Sequence, residues 1–330
     1  MRYPAYCCGL ATIRPTLGRV PAYNSTAPIE RTPSLQMMSV QGPIARTVAD
    51  VRLALGVMAE PDWHDPWHVP LPIDGPTQQS PIEVALCYGP PGTPAQPEVV
   101  AAVDTAAAAL AAAGYEVVEV EPPHLEEIAY RWRSLLSTEM QAGMLDAIKE
   151  MGSADVNKAV GWMWTSVDEL DLSGYITMLA DRTRHLRAWQ QFMAEIPLVL
   201  SPVSQEIPFL AGDDLSSEAR MHEILGAQTM LVVGNYLGFP ASAVPTGLAD
   251  GVPVGVQILG PRFREDLYLD AAEVIDPPAY KPSSSGPPPS TELPPKNAPI
   301  GAFVGGRTVS TGGPWAAILA VEPSPRRNSR

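Results

Sequence analysis

Ile82-Glu-Val-Ala-Leu86 alternates apolar and small or polar side chains, as a half-buried strand does. A Pro/Gly loop follows. Pro97 then opens a segment in which Val99, Val103, Ala106 and Leu110 share one helical face, and Gly114 closes it. Tyr115-Glu-Val-Val-Glu-Val120 reads as a second strand. Strand, helix and strand of these lengths make a βαβ crossover, which sets its two strands parallel. The fold class that follows is α/β: a mixed, partly parallel β-sheet flanked by helices.

Beyond this unit, residues 124–195 read as a helical insertion. One amphipathic helix carries Ile128, Trp132, Leu135, Leu136, Met140 and Met144; another carries Tyr175, Met178, Leu179, Leu186, Trp189 and Met193. Leu198-Val-Leu200 reads as a short strand and Met221–Leu237 as one helix. Ala241–Val244 and Val254–Leu259 read as strands, and Glu265–Ile275 as a last helix. From Pro277 onward the composition changes. Twelve of the 37 prolines fall in the last 54 residues, including Pro282-Ser-Ser-Ser-Gly-Pro-Pro-Pro-Ser290. Such a segment has too little apolar surface to offset chain entropy. The expected organisation is one domain over residues 1–276 and a disordered, Pro-rich tail over 277–330, with a short strand at Trp315–Val321.

The charge balance narrows the function classes. Twenty-two Lys+Arg against 36 Asp+Glu give −14 over 330 residues. The tail carries six basic and two acidic residues, so residues 1–276 hold −18. That excess excludes a sequence-independent grip on nucleic acid or anionic lipid, both of which need clustered Lys/Arg. No apolar run reaches the ~18 residues of a membrane helix, and Met1-Arg-Tyr-Pro4 does not read as a signal peptide. Three cysteines cannot make an even disulfide framework, so a cytoplasmic setting is expected. Lysine is scarce: only Lys149, Lys158, Lys281 and Lys296.

Several local constellations carry little. Gly301-Ala-Phe-Val-Gly-Gly306-Arg307-Thr308 has phosphate-loop spacing, but arginine replaces the lysine and the Pro-rich context supplies no strand–helix frame. His64 and His68 would share a helical face, which Pro66 disfavours, so a polar loop with tucked tryptophans is expected there. Cys7-Cys8 has no histidine within 50 residues to lower a thiol pKa. Ser204, Glu206, Asp213 and His222 lack nucleophile-elbow glycines. No cofactor or metal is expected.

Four segments, in order, carry a resemblance. Met1-Arg-Tyr-Pro-Ala-Tyr-Cys-Cys-Gly9 leads into Ile13-Arg-Pro-Thr-Leu-Gly-Arg-Val20. Gln41-Gly-Pro-Ile-Ala-Arg-Thr-Val-Ala-Asp50 follows, in which Arg46 and Asp50 are spaced to pair on a helix. Then come Asn235-Tyr-Leu-Gly-Phe-Pro-Ala-Ser-Ala-Val-Pro-Thr-Gly247 and Gly251-Val-Pro-Val-Gly-Val-Gln-Ile-Leu-Gly260. Together they resemble the amidase signature family over residues 1–276. Gln257 is the one polar side chain in an apolar strand and needs a hydrogen-bond partner, either inside the core or at the site cleft.

The resemblance implies hydrolysis of carboxamide C–N bonds in a small-molecule amide. A serine is the nucleophile, a second serine on a cis peptide bridges, and a neutral lysine takes the proton and returns it to the leaving amine. It also implies that Arg2, Cys8 and Gln257 lie near the site. In the family's Gly-Gly-Ser-x-Arg motif the nucleophile falls immediately before Met1, and none of the four lysines occupies the matching context. No catalytic residue is therefore expected within the chain. The expectation is an N-terminally truncated amidase fold that is inactive alone, through a misassigned start or a split gene; a break inside a motif favours this over a chain whose chemistry is lost. The alternative is a pseudoenzyme or partner-binding protein resembling the A component of the amidotransferase. Homo-oligomerisation fits either reading, and removal of upstream strands predicts an unpaired apolar sheet edge.

Overall fold

The computed structural model describes residues 1–24 and 30–276, together with the backbone of two paired strands at Gly301–Val304 and Arg307–Ser310. The first part opens with α1 (Arg2–Cys8), β1 (Ala11–Arg14), α2 (Pro33–Met38), β2 (Ile44–Ala45) and α3 (Val48–Met58). The crossover predicted from sequence follows as β3 (Glu83–Leu86), α4 (Pro97–Ala112) and β4 (Glu116–Glu119). Gly114 takes φ +93°, a conformation that side chains resist, and so turns the chain out of α4.

The insertion holds α5 (Leu125–Gly143), α6 (Leu145–Met151), α7 (Ala154–Met163) and α8 (Leu172–Glu195). Its two long helices match expectation; the two short ones between them were not foreseen. The chain continues through β5 (Leu198–Pro202), α9 (Glu218–Ala227), α10 (Thr229–Leu237), β6 (Ala241–Ala249), β7 (Val252–Leu259) and α11 (Glu265–Ile275). The single helix expected over 221–237 is thus two, broken at Gln228.

Seven strands form one sheet in the order β2-β1-β6-β7-β5-β3-β4. β3 pairs in parallel with β4 and β5, and every other pairing in this sheet is antiparallel. The sheet is mixed, as predicted. Alternation sorts its side chains between two faces. Val84, Leu198, Leu200, Val256 and Ile258 pack under α3, α4 and α11. Ala85, Val199 and Leu259 pack under α5, α8 and α10 on the other face.

The apolar edge expected from sequence is confined to two residues: β2 is only Ile44–Ala45, with Ile44 exposed, and β4 at the other edge carries the exposed Glu116 and Glu119. Short and charged edges resist further pairing. Nor does Arg46 pair with Asp50. Arg46 precedes α3, and Asp50 instead accepts from the Thr47 hydroxyl at 2.8 Å while its N–H donates back at 3.1 Å, a cap on the helix start. Around Gly301–Thr308 the described backbone is two antiparallel strands, not the strand-to-helix turn of a phosphate loop. The strand expected at Trp315–Val321, and the rest of the tail, lie outside the described residues.

Candidate functional site

A cavity of about 410 Å³ opens where α1, α2, α5 and α10 converge on the sheet. Trp132, Leu136 and Met140 line it because they recur at i, i+4 and i+8 along α5. Met38 from α2, Met144 and Trp164 complete an apolar wall. The size suits a ligand of one or two rings.

The polar end is built by three residues far apart in sequence. Arg2 begins α1, Arg14 ends β1, and Asn235 lies on α10; all three line the cavity. Asn235 Oδ1 accepts from Arg2 Nη2 and from Arg14 Nε, each at 3.0 Å. Arg2 also donates to Gln257 Oε1 and to the Leu231 carbonyl, both at 2.5 Å. Arg14 donates to the carbonyls of Phe239 (2.6 Å) and Met38 (2.7 Å). Burial lowers the basicity of both guanidinia, and each is made less basic again by a neighbouring arginine. Arg2 falls well below the usual arginine value, and Arg14 falls to about 9.

Glu139, also on α5, stands in the cavity wall. It accepts from the Ser34 N–H at 2.8 Å and from the hydroxyls of Thr32 and Tyr175. These bonds tie the start of α2 to α5 and α8 and hold the wall in shape.

Of the residues singled out from sequence, Arg2 lines the cavity and Gln257 lies directly behind it. Gln257 is fully buried, with its amide donating to Ser201 Oγ at 3.3 Å and to the Pro202 carbonyl at 3.1 Å. It is a satisfied core amide that orients Arg2. Cys8 is half-buried and not part of the wall; burial raises its pKa, and that of Cys7 to about 12, so neither is a ready nucleophile. Arg14, Asn235 and Glu139 were missed. The first two sit inside quoted motif segments, and each on its own reads as an ordinary polar residue.

The remaining constellations dissolve. His64 pairs with Asp62 at 2.7 Å on the surface, and His68 Nε2 faces the Ala59 carbonyl. The tryptophans beside them are not tucked: Trp63 is 92% exposed and Trp67 50%. Glu206 and Asp213 both bind Arg220, while His222 Nε2 lies 2.9 Å from the Trp162 carbonyl, so no triad forms. Glu127, Asp181 and His185 bring ligand atoms within 4.8 Å of one another. Arg131 and Arg184 already bridge the two carboxylates, which makes this an ion-pair network.

The profile of the amidase family matches residues 1–269. The chain belongs to the amidase family. Among its relatives, an indoleacetamide hydrolase of Bradyrhizobium japonicum is 43% identical over 281 residues, 84% of this chain and 60% of that one. The A component of the glutamyl-tRNA(Gln) amidotransferase of Chloroflexus aggregans is 28% identical, covering 82% and 59%. Among solved structures, a bacterial aryl acylamidase superposes with a TM-score of 0.64 at 22% identity, over 82% of this chain and 59% of that one; it shows a shared fold. This amidase-family chain thus spans about three-fifths of the length of each of these relatives. Among the described residues no helix is long and apolar enough to cross a membrane.

Proposed function

We propose that this chain builds the acyl-binding part of an amidase that hydrolyses small arylacetamides, with indole-3-acetamide as the type substrate. The observation that carries the reading is the cavity: aromatic and methionine walls at one end, Arg2, Arg14 and Asn235 at the other. The carboxamide sits at the polar end, beside Met1, next to the nucleophile that the motif resemblance implies. The ring lies against Trp132 and Trp164, where leaving water contributes roughly 1.5–3 kcal/mol. Serine, bridging serine and lysine then come from outside residues 1–330. The 43% identity to an indoleacetamide hydrolase supports the substrate class over a partner-bound role like that of the amidotransferase component, behind which stands 28%.

The test measures ammonia release from indole-3-acetamide, phenylacetamide and hexanamide. Residues 1–330 are assayed alone and extended at their N-terminus by the corresponding segment of the Bradyrhizobium relative. The extended protein hydrolyses the two aromatic amides in preference to hexanamide, and the chain alone hydrolyses none. Turnover by the chain alone at the extended protein's rate refutes the placement of the nucleophile. Equal turnover of hexanamide refutes the substrate class.

A further inference from the structure

Arg2 and Arg14 are each only 3% exposed, yet every hydrogen-bond acceptor they meet among the described residues is neutral: two side-chain amides and three backbone carbonyls. Each uses three bonds, fewer than the five N–H donors a guanidinium carries. A third guanidinium, that of the half-buried Arg182, adds positive charge near Arg14; its Nε donates to the Tyr236 carbonyl at 2.6 Å. Buried charge is ordinarily paired, because an unpaired ion loses its hydration without recompense. Glu139, the one acid among the described residues of the cavity wall, spends both oxygens on Thr32, Ser34 and Tyr175. Among the described residues the cavity therefore has a cationic end with donors to spare and no anion set against it.

We propose that Arg2 and Arg14, bridged by Asn235, form a carboxylate-binding site at the polar end of the cavity, and that its ligand is the arylacetic acid left after amide hydrolysis. This rests on the arylacetamide reading. A carboxamide is neutral and offers one acceptor oxygen; the carboxylate that replaces it is charged, offers two, and matches the planar fork of a guanidinium. The site thus binds product more tightly than substrate, and product release, or competition by accumulated acid, limits turnover.

Calorimetric titration of the 330-residue chain at pH 7 compares indole-3-acetate with indole-3-acetamide. The acid binds about tenfold more tightly, the scale of one charge-assisted hydrogen-bond set. Asn235→Asp places a carboxylate between the two guanidinia and abolishes the difference. Arg14→Gln serves as a second variant should Asn235→Asp fail to fold; it removes the charge together with the bonds to Asn235, Phe239 and Met38, so both affinities fall, and the preference for acid over amide shrinks to about twofold or less. Equal affinity for acid and amide in the unaltered chain overturns the proposal, as does a preference that survives either substitution. A separate arm follows the melting temperature in sodium acetate. If neither aromatic ligand binds, the arylacetamide reading fails. A stabilisation by acetate that Asn235→Asp removes then still supports the anion site, and its absence overturns the site as well.

Discussion

Arg19 and the Arg2–Arg14 pair are all at most 3% exposed, yet their charges are met by opposite means. Arg19 donates from Nε (3.1 Å) and Nη2 (2.8 Å) to one oxygen of Glu265, itself fully buried. The other oxygen of Glu265 accepts from the Thr16 N–H at 2.9 Å. Glu265 opens α11, where the helix dipole favours an anion, and Arg19 also holds the Leu71 and Pro72 carbonyls. That region is charge-complete: it ties the loop after β1, the segment near residue 71 and α11 into one unit. Arg2 and Arg14 are charge-incomplete and border a cavity. The difference separates a buried ion serving the scaffold from buried ions held ready for a ligand. Departures from local satisfaction concentrate where function demands them.

Removing the carboxylate from the complete region is the strongest challenge to this contrast. Glu265→Gln leaves Arg19 buried beside a neutral amide, and breaking such a pair costs roughly 3–5 kcal/mol. Urea unfolding followed by circular dichroism should show the midpoint falling sharply with an unchanged slope. A loss below about 1 kcal/mol, the scale of a surface pair, contradicts the structural role given to this ion pair.

Arg14→Met is the matched experiment in the incomplete region. It removes a buried cation without stranding a carboxylate, and Asn235 keeps its bond from Arg2. The cost is that of leaving neutral carbonyls unpaired, about 1–3 kcal/mol, offset in part by no longer burying a charge. The same urea titration should rank Glu265→Gln as the larger loss. The reverse ranking erases the distinction between the two regions.

The sheet was legible because period-2 and period-3.6 patterns are local. The strand at 82–86, the helix from Pro97 and the last helix at Glu265–Ile275 fall within a residue or two of their predicted bounds. The break at Gln228 was not legible, since the apolar pattern of Met221–Leu237 runs through it, while in the fold α9 packs against α7 and α10 against α5. The cavity was half legible. Motif matching pointed to Arg2 and Gln257, whose 255-residue separation no local pattern can bridge. Arg14 and Asn235 are 221 residues apart, and Glu139 sits on an amphipathic helix whose polar positions normally face solvent. Their roles come from tertiary convergence, which a single sequence does not encode locally. The exposed Trp63 misled for the converse reason, since bulk alone does not place a side chain inside.

The smallest expected effect lies at the rim of α5 and α8, where charges are complete but wet. Burial pushes the Glu127 carboxyl upward. Hydrogen bonds from Arg184, His185 and Arg131 outweigh that and hold it down at about 2, against an ordinary 4.5. A depressed carboxyl adds stability that is fully present above pH 4.5 and disappears as the pH falls through about 2. The Glu127 side chain is 36% exposed, so solvent screening limits its share to below about 1 kcal/mol. The measurement is the difference in urea midpoint between the unaltered chain and Glu127→Gln at pH 7, 4.5, 3 and 2. That difference should be constant between pH 7 and 4.5 and shrink towards zero at pH 2. A difference that persists undiminished at pH 2 means that Glu127 acts through packing or neutral hydrogen bonds. A loss comparable with that of Glu265→Gln means that exposure does not grade these ion pairs.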